Sequence, residues 1–289
     1  MTKIDPAALR EHVTALVRYG PRSPANPAAT GPVLDYLTGQ LAGFGYRVSV
    51  ERYGPAAHEV NLIAGPHRPA DAPIVEVGAH WDTVADSPGA DDNASGVAGL
   101  LEIARTLALD PPARPPRFCV FGGEEDAVPF TGSRAHVARL GRDGVQVDGA
   151  VVLEMIGYRD VRPGSQRIPE SMRDAVGDVD AVDRGDFVCA IGSIESTHWL
   201  AAVQAAGWLQ QPTLSVLPLP VPRQHAGDGA RSDHVPYWAA GRKAVMVTDT
   251  AEFRNPHYHR ASDTVDTLDF DFAASVTAAV TDAVRSLSR

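Results

Sequence analysis

Five short segments of this 289-residue chain carry a carboxylate or an imidazole where a predicted strand ends or a loop begins. In chain order they are 78–82, 89–96, 122–125, 153–157 and 256–260. Loops at the carboxyl ends of strands face a shared crevice in an α/β sheet, and imidazole nitrogen and carboxylate oxygen are ligands that zinc accepts. Together the segments predict one metal site in a hydrolase with two zinc ions.

A pair of zinc ions about 3.5–4 Å apart needs one bridging carboxylate and further ligands for each ion. An isolated histidine or aspartate is more often a surface group or a satisfied core group, but five matches in order favour a metal site. The predicted ligands are His80 and Glu154 for one ion, Glu125 and His259 for the other, and Asp92 as the bridge.

Residues next to the predicted ligands have their own predicted roles. Asp82 follows His80 by two residues, so in an extended segment its carboxylate can hold the second ring nitrogen. Adjacent Glu124 and Glu125 point to different sides, so Glu125 can bind metal while Glu124 acts as the general base toward a metal-bound water. Asp91, beside the bridge, is predicted to be structural.

Two further histidines lie near these segments. His257 precedes His259 by two residues, so a strand would aim both at the site, and the spacing to residues 262–264 favours His259 as the ligand. His234 fits equally well as a group that holds a ligand and as a packing residue. The roles of His257 and His234 remain open at this stage.

The apolar patterns predict one α/β domain over residues 1–289. Helices are predicted at 6–18, 33–44, 133–140, 196–206, 233–240 and 272–286, with another that begins at a Ser95 cap. Strands are predicted at 46–53, 61–64, 74–79, 117–121, 150–155, 214–217 and 244–247. Strands that alternate with helices imply a largely parallel, centrally buried sheet. Residues 158–186 and 221–231 are weakly patterned and predict loops beside the site.

Composition narrows the choice of partners and location. A net charge of −10 and a pI near 5.4 disfavour binding to nucleic acid or to an anionic membrane. The first residues lack the apolar core of a signal peptide, and the sequence has no uninterrupted apolar run of about 20 residues, so a soluble, cytoplasmic protein is expected. Cys119 and Cys189 are predicted to be buried thiols.

The motifs HxD, GADDNASG, GEE, LEMIG and HYHxxSDT, with Ser232-Asp233-His234 between the last two, resemble those of zinc aminopeptidases of the M28 peptidase family. The resemblance runs from about residue 61 to about residue 268. It implies a mixed, largely parallel central sheet of about eight strands flanked by helices, without a separate lid. It also implies the same five metal ligands and Glu124 as the general base.

The resemblance adds three expectations about individual residues. Tyr258 matches a position where some relatives carry a tyrosine that stabilises the tetrahedral intermediate. Glu154 stands where many members have aspartate, which could alter metal affinity. The peptide bond between Asp92 and Asn93 is expected to be cis, as it is in relatives.

The predicted function is hydrolysis of peptide bonds at free N-termini by an aminopeptidase with two zinc ions per chain. Residues 158–186 are expected to fold over the substrate entrance and exclude internal peptides. Three alternatives stand beside this function: an M20-type amidohydrolase, a one-zinc glutaminyl-peptide cyclotransferase and a binding protein without activity. Length disfavours the first, and the complete ligand set disfavours the other two. The preferred N-terminal residue, the oligomeric state and the choice among zinc, cobalt and manganese stay open.

Overall fold

The computed structural model describes residues 2–66 and 73–289. The strands are β1 (Arg47–Arg52), β2 (Val60–Gly65), β3 (Ile74–His80), β4 (Arg117–Phe121), β5 (Val147–Glu154), β6 (Val188–Ser193), β7 (Val216–Val221) and β8 (Lys243–Thr248). Within the described ranges they form one eight-stranded sheet in the order β1-β2-β4-β3-β5-β8-β6-β7. Four neighbouring pairs are parallel and three are antiparallel. The predicted mixed α/β sheet is confirmed.

Helices cover both faces of this sheet. They are α1 (Pro6–Val17), α2 (Pro27–Gly43), α3 (Gly96–Leu109), α4 (Thr131–Arg142), α5 (Arg173–Val176), α6 (Thr197–Trp208), α7 (Val235–Ala239) and α8 (Phe270–Leu287). One apolar core contains residues of α1, α2, α3, α6 and α8, and a second contains residues of α4 and α7. Within the described part of the chain, no helix is both long and apolar enough to cross a bilayer.

Strand β6 and helix α2 differ from their predictions. Strand β6 was not predicted, because a short apolar run without alternation carries no period that separates a strand from other buried segments. Helix α2 begins at Pro27 rather than residue 33 and continues through Pro32. Val33 and Leu37 of this helix are fully buried, so tertiary packing outweighs the low helix propensity of proline.

Helix α3 does not begin at a Ser95 cap, so that prediction is wrong. Ser95 already has helical angles, and its hydroxyl donates to the carbonyl of Asp91 at 2.8 Å. The same hydroxyl accepts the backbone N–H of Ile156 at 3.0 Å. The side chain of Asn93 instead accepts the first free N–H of the helix, that of Gly96, at 3.1 Å.

A buried ion-pair network lies on the α4 and α7 side of the sheet. Glu76 of β3 is fully buried and accepts hydrogen bonds from Arg117 and from the Tyr237 hydroxyl, the latter at 2.7 Å. Its carboxylate lies 3.1 Å from Nε2 of His136, whose Nδ1 lies 2.9 Å from Glu51. These five side chains are called the Glu76 network below.

Candidate metal centre

The strand order brings the predicted site residues to one edge of the sheet. Strands β4, β3, β5 and β8 are adjacent and parallel, so their carboxyl ends lie side by side. His80 is the last residue of β3 and Glu154 is the last residue of β5. Glu125 follows β4, His259 lies beyond β8, and Asp92 lies in the turn that precedes α3. Five segments that are spread between residues 78 and 260 of the sequence thus meet in one crevice.

The five predicted ligands form two donor clusters that share Asp92. Nε2 of His80 lies 3.4 Å from Oδ1 of Asp92 and 3.3 Å from Glu154. Nε2 of His259 lies 3.1 Å from Oδ2 of Asp92 and 3.0 Å from Glu125. Within each cluster the donor atoms lie within 4.8 Å of one another. Each cluster is imidazole and carboxylate, so each could hold one divalent cation with Asp92 between the two.

The electrostatics of the crevice are dominated by carboxylates. Burial alone would lower the pKa of His80, but Glu154 and Glu124 outweigh it and raise this pKa well above its ordinary value. Burial is likewise outweighed at His259, where Asp92 and Glu125 raise the pKa to about 10. Such a surplus of buried negative charge is what bound divalent cations would neutralise.

Glu124 and Glu125 face different surroundings, as predicted for adjacent residues. Glu125 contacts His259 in the second cluster, and burial together with the Asp92 charge raises its pKa to about 7. Glu124 is buried, and burial followed by repulsion from Glu154 and Glu125 raises its pKa well above the ordinary value, against the effect of His80. Among the described residues, the Glu124 carboxylate has no hydrogen-bond partner, which leaves it able to accept a proton from a substrate or water.

Asp82 holds more of the site than the sequence indicated. Its carboxylate lies 3.6 Å from Nδ1 of His80, while its backbone carbonyl is nearer to that nitrogen, at 3.2 Å. The same carboxylate accepts the backbone N–H of Glu124 at 3.3 Å and that of Glu125 at 3.0 Å. Asp82 therefore positions the loop that carries both glutamates as well as the His80 ring.

Two residues that support the clusters were given no role by the sequence analysis. Asp263 accepts the backbone N–H groups of Asp91 and Asp92 at 2.9 and 3.1 Å, which fixes the bridging segment. Ser232 donates its hydroxyl to Glu154 at 2.6 Å. Both residues lie within the motifs quoted above, and this proximity was the available signal for them.

The backbone is unusual at the predicted ligand positions. The peptide bond between Asp92 and Asn93 is cis, as expected. Met155, directly after Glu154, and His259 itself have left-handed φ angles of 49° and 57°, which cost energy for residues with a side chain. Met155 is held in this conformation because its N–H donates to the Asn93 side chain at 3.0 Å. Outliers of this kind concentrate at functional sites.

Three neighbouring polar residues lie outside the two donor clusters. His257 contacts the Ser262 hydroxyl through Nδ1 at 2.9 Å, and His259 occupies the cluster instead. His234 is buried against Trp238, and burial lowers its pKa to about 4. Asp91 accepts the backbone N–H of Gly157 at 2.9 Å, an arrangement that fits its predicted structural role.

A cavity with a volume of about 750 Å³, including space open to solvent, leads away from the donor clusters. Its floor and sides are largely apolar and come from β6, β7, β8 and the segment after β5. The apolar lining residues are Ile168, Met172, Val176, Phe187, Cys189, Ile191, Leu217, Leu219 and Met246. Asp92, Glu124, Glu125, Glu154 and Tyr258 line the end at the candidate metal centre.

Hydrogen bonds join the loops that surround this cavity. Part of the segment predicted to lie over the entrance forms a wall of the cavity. The backbone N–H of Arg167 in this segment donates to the carbonyl of Phe253 at 2.9 Å. Gln166 donates to the Thr250 hydroxyl at 3.0 Å. The 158–186 segment is therefore joined to the loop that follows β8, and both segments line the cavity.

Solved structures of other proteins share this fold. LapA of Legionella pneumophila superposes with a TM-score of 0.77 and 18% identity, covering 99% of this chain and 73% of that one. A leucine aminopeptidase precursor of Bacteroides thetaiotaomicron gives 0.75 at 20% identity, with 98% of both chains covered. A glutaminyl cyclase of Tannerella forsythia gives 0.71 at 19% identity, covering 98% of this chain and 99% of that one. These likenesses define the fold class, which both kinds of enzyme share.

Sequence comparison is more specific than the fold. The model of peptidase family M28 matches residues 61–284, and the protein YfbL of Escherichia coli is 35% identical over 92% of this chain and 84% of its own length. The chain belongs to peptidase family M28, and it is a hydrolase of the peptidase class. The probable lipoprotein aminopeptidase LpqL of Mycobacterium tuberculosis is 30% identical over 72% of this chain. This chain covers 41% of the length of LpqL.

Proposed function

We propose that this protein is an aminopeptidase that works with two zinc ions. The observation that carries the proposal is the pair of donor clusters that share Asp92 at the end of a walled cavity. His80 and Glu154 would hold one ion, and Glu125 and His259 the other. Bound zinc would supply Lewis acidity to a water molecule and to the carbonyl of the scissile bond.

Glu124 is the group that moves the proton in this proposal. Its carboxylate lines the cavity, is free of hydrogen-bond partners among the described side chains and has a raised pKa. A base with a raised pKa can accept the proton of the attacking water and then deliver it to the leaving amine as the C–N bond breaks. Tyr258, at the same end of the cavity, would donate its hydroxyl to the oxygen that gains negative charge.

The cavity supports cleavage at an N-terminus with a large apolar first residue. Its apolar sides offer space for such a side chain, while the carboxylates at its end favour a free amine near bound metal over a blocked one. The hydrogen-bonded loops form a wall of the cavity, and this wall would hinder an internal peptide segment from continuing past the donor clusters. The proposed substrate is a peptide with a free, apolar N-terminal residue.

The test compares leucine p-nitroanilide with its N-acetylated form, using protein dialysed against zinc and protein treated with a chelator. Cleavage of the free amide that depends on zinc, without cleavage of the acetylated form, is the expected result. Equal rates on both amides would refute the aminopeptidase proposal but leave a metal-dependent peptidase. Metal analysis of the dialysed protein should give two zinc ions per chain.

Glutaminyl-peptide cyclotransfer is the second candidate, because glutaminyl cyclases share the fold over nearly the whole of both chains. The presence of two complete donor clusters favours the hydrolase, since a one-zinc mechanism does not require the second. Mass spectrometry of a peptide with an N-terminal glutamine separates the two functions. Loss of ammonia from the intact peptide, with one zinc per chain, would support the cyclotransferase instead.

A further inference from the structure

The hydroxyl of Tyr258 has a specific partner beside the candidate metal centre. Nη2 of Arg231 donates to this hydroxyl at 3.3 Å. The Tyr258 ring stacks on His259 with a centroid distance of 3.8 Å and an interplanar angle of 21°. In residues 2–66 and 73–289, Arg231 is the hydroxyl's only hydrogen-bond partner. The ring and the oxygen of Tyr258 are therefore each held by a different residue.

The donor chemistry of the two groups decides where the Tyr258 proton can point. A guanidinium is a donor only, whereas a phenol has one proton and acceptor lone pairs. When Arg231 donates to the oxygen of Tyr258, the phenol proton stays available for another acceptor. Tyr258 lines the cavity, so an oxygen of the substrate can be that acceptor.

Two carboxylates hold the guanidinium of Arg231. Its Nη1 lies 2.5 Å from Oε1 of Glu252 and 3.6 Å from Oδ1 of Asp228. The backbone carbonyl of Glu252 accepts a hydrogen bond from Arg167, and Asp228 accepts the Ser171 hydroxyl at 2.5 Å. The 158–186 segment therefore contacts both residues that hold Arg231, through the backbone of Glu252 and the carboxylate of Asp228.

The position of Arg231 in the sequence strengthens this link. The next residue, Ser232, donates to Glu154 of the first donor cluster, and Asp233 accepts the Ser133 hydroxyl at 2.5 Å. Ser232 and Asp233 are fully buried, which gives the segment a defined place against the site. One short segment thus reaches both a predicted metal ligand and the proposed oxyanion donor.

We propose that Arg231, held by Glu252 and Asp228, is a positioning residue. It orients the Tyr258 hydroxyl toward the substrate oxygen that gains negative charge in the reaction. The inference rests on the proposed function, because that function supplies the substrate oxygen to which Tyr258 would donate. It goes beyond that function by linking the cavity wall to a group that acts on the reacting atoms. A purely structural ion pair would support the loops without any effect specific to Tyr258.

The kinetic test is a double-mutant cycle on leucine p-nitroanilide with Arg231→Met, Tyr258→Phe and the double variant. Arg231→Met should lower kcat about 10- to 100-fold with little change in KM, since removing an oxyanion donor altogether costs about 10²- to 10³-fold. Arg231→Lys should restore part of the loss. In the Tyr258→Phe background, Arg231→Met should cost no more than about twofold further, because its partner is already absent.

Arg162→Met is the matched control. Arg162 belongs to the same 158–186 segment but is not among the residues that line the cavity; its exposed side chain pairs with Asp160, so its removal should leave kcat and zinc content unchanged. Independent losses that multiply in the double variant would overturn the positioning role. So would an increase in KM at unchanged kcat for Arg231→Met, which would indicate a role in substrate binding.

A readout that does not depend on turnover separates this inference from the proposed function. In protein with ¹³C-labelled tyrosine, the Tyr258 NMR signal, assigned from its loss in Tyr258→Phe, should shift or broaden in Arg231→Met but not in Arg162→Met. An unchanged signal would overturn the inference even if the enzyme is active. A changed signal in a protein that cleaves neither amide would leave the Tyr258 contact in place and refute the aminopeptidase function.

Discussion

Two groups of buried carboxylates and imidazoles, the Glu76 network and the candidate metal centre, involve the same strand but differ in their balance of charge. In the Glu76 network, the Glu76 carboxylate receives donors from Arg117, Tyr237 and His136. At the candidate metal centre, four residues further along β3 at the end of the strand, His80 faces several carboxylates. In residues 2–66 and 73–289, no arginine forms an ion pair with these carboxylates. The residue types are similar, but only the metal centre has negative charge left over.

The comparison shows why ligand-type residues alone do not define a metal site. Glu76, Cys119 and His136 place three donor atoms within 4.8 Å of one another, as the residues of each metal cluster do. Their carboxylate is already neutralised by Arg117, and Glu76, Cys119 and His136 are all at most 1% exposed. A cation would have to displace an existing ion pair in the core. At the metal centre, the acidic groups line a cavity, and no arginine or lysine in the described part of the chain forms an ion pair with them.

The largest expected effect distinguishes the metal centre from the Glu76 network by the metal content of variants at each place. Asp92→Ala removes the one carboxylate shared by both donor clusters, so both zinc ions and all activity should be lost. His80→Ala should mainly weaken one ion. Metal analysis after dialysis measures this, and Glu76→Gln serves as the comparison that should keep both ions. Two tightly held ions in the Asp92 variant would contradict the shared-ligand assignment.

The next effect separates the adjacent glutamates within the metal centre. Glu124→Gln keeps the size of the side chain but cannot accept the proton, so kcat should fall by about 10²- to 10⁴-fold while the zinc content holds. Glu125→Gln should instead lose zinc. Steady-state kinetics with metal analysis of both variants checks the assignment. The reverse pattern would exchange the two roles.

A smaller effect tests whether the Glu76 network serves stability rather than catalysis. Glu76→Gln leaves Arg117 and His136 without their shared buried carboxylate, and breaking a buried pair in this way costs about 3–5 kcal/mol of unfolding free energy. Urea unfolding at saturating zinc measures the loss. Glu195→Gln, which removes an exposed partner of Arg223, is the control and should leave stability unchanged. An undiminished free energy of unfolding in Glu76→Gln would argue against the structural role.

The smallest expected effect concerns pH. Burial would lower the pKa of His136, but Glu76 outweighs it and raises this pKa well above the ordinary value of about 6.5. The stability that His136 contributes is therefore fully present below about pH 6.5 and declines as pH rises toward the folded value, by at most about 1.4 kcal/mol per pH unit. The difference in unfolding free energy between wild type and His136→Gln should shrink from pH 6 to pH 9. A constant difference would show that His136 does not titrate in this way.

Local patterns in the sequence were sufficient to predict much of the fold and the composition of the site. Helices such as α1 and α8 have an apolar period that needs no tertiary information, and the motifs identified His80, Asp92 and Glu154 as one set. Strand β6 was not predicted because its apolar run has no period. The role of Ser95 was predicted wrongly because its hydroxyl bonds to the backbone of Asp91 and Ile156 instead of the helix end.

The sequence by itself determined which groups are available: a surplus of acids, two imidazoles at the right spacings and enough apolar residues to bury a mixed sheet. Only the tertiary structure decided which acids are neutralised. Arg117 reaches Glu76 across 41 residues, whereas Arg231 meets Tyr258 across 27, and neither pairing has a local pattern. Such contacts depend on strand order and loop path, and these follow from packing the whole core rather than from the spacing of neighbouring residues.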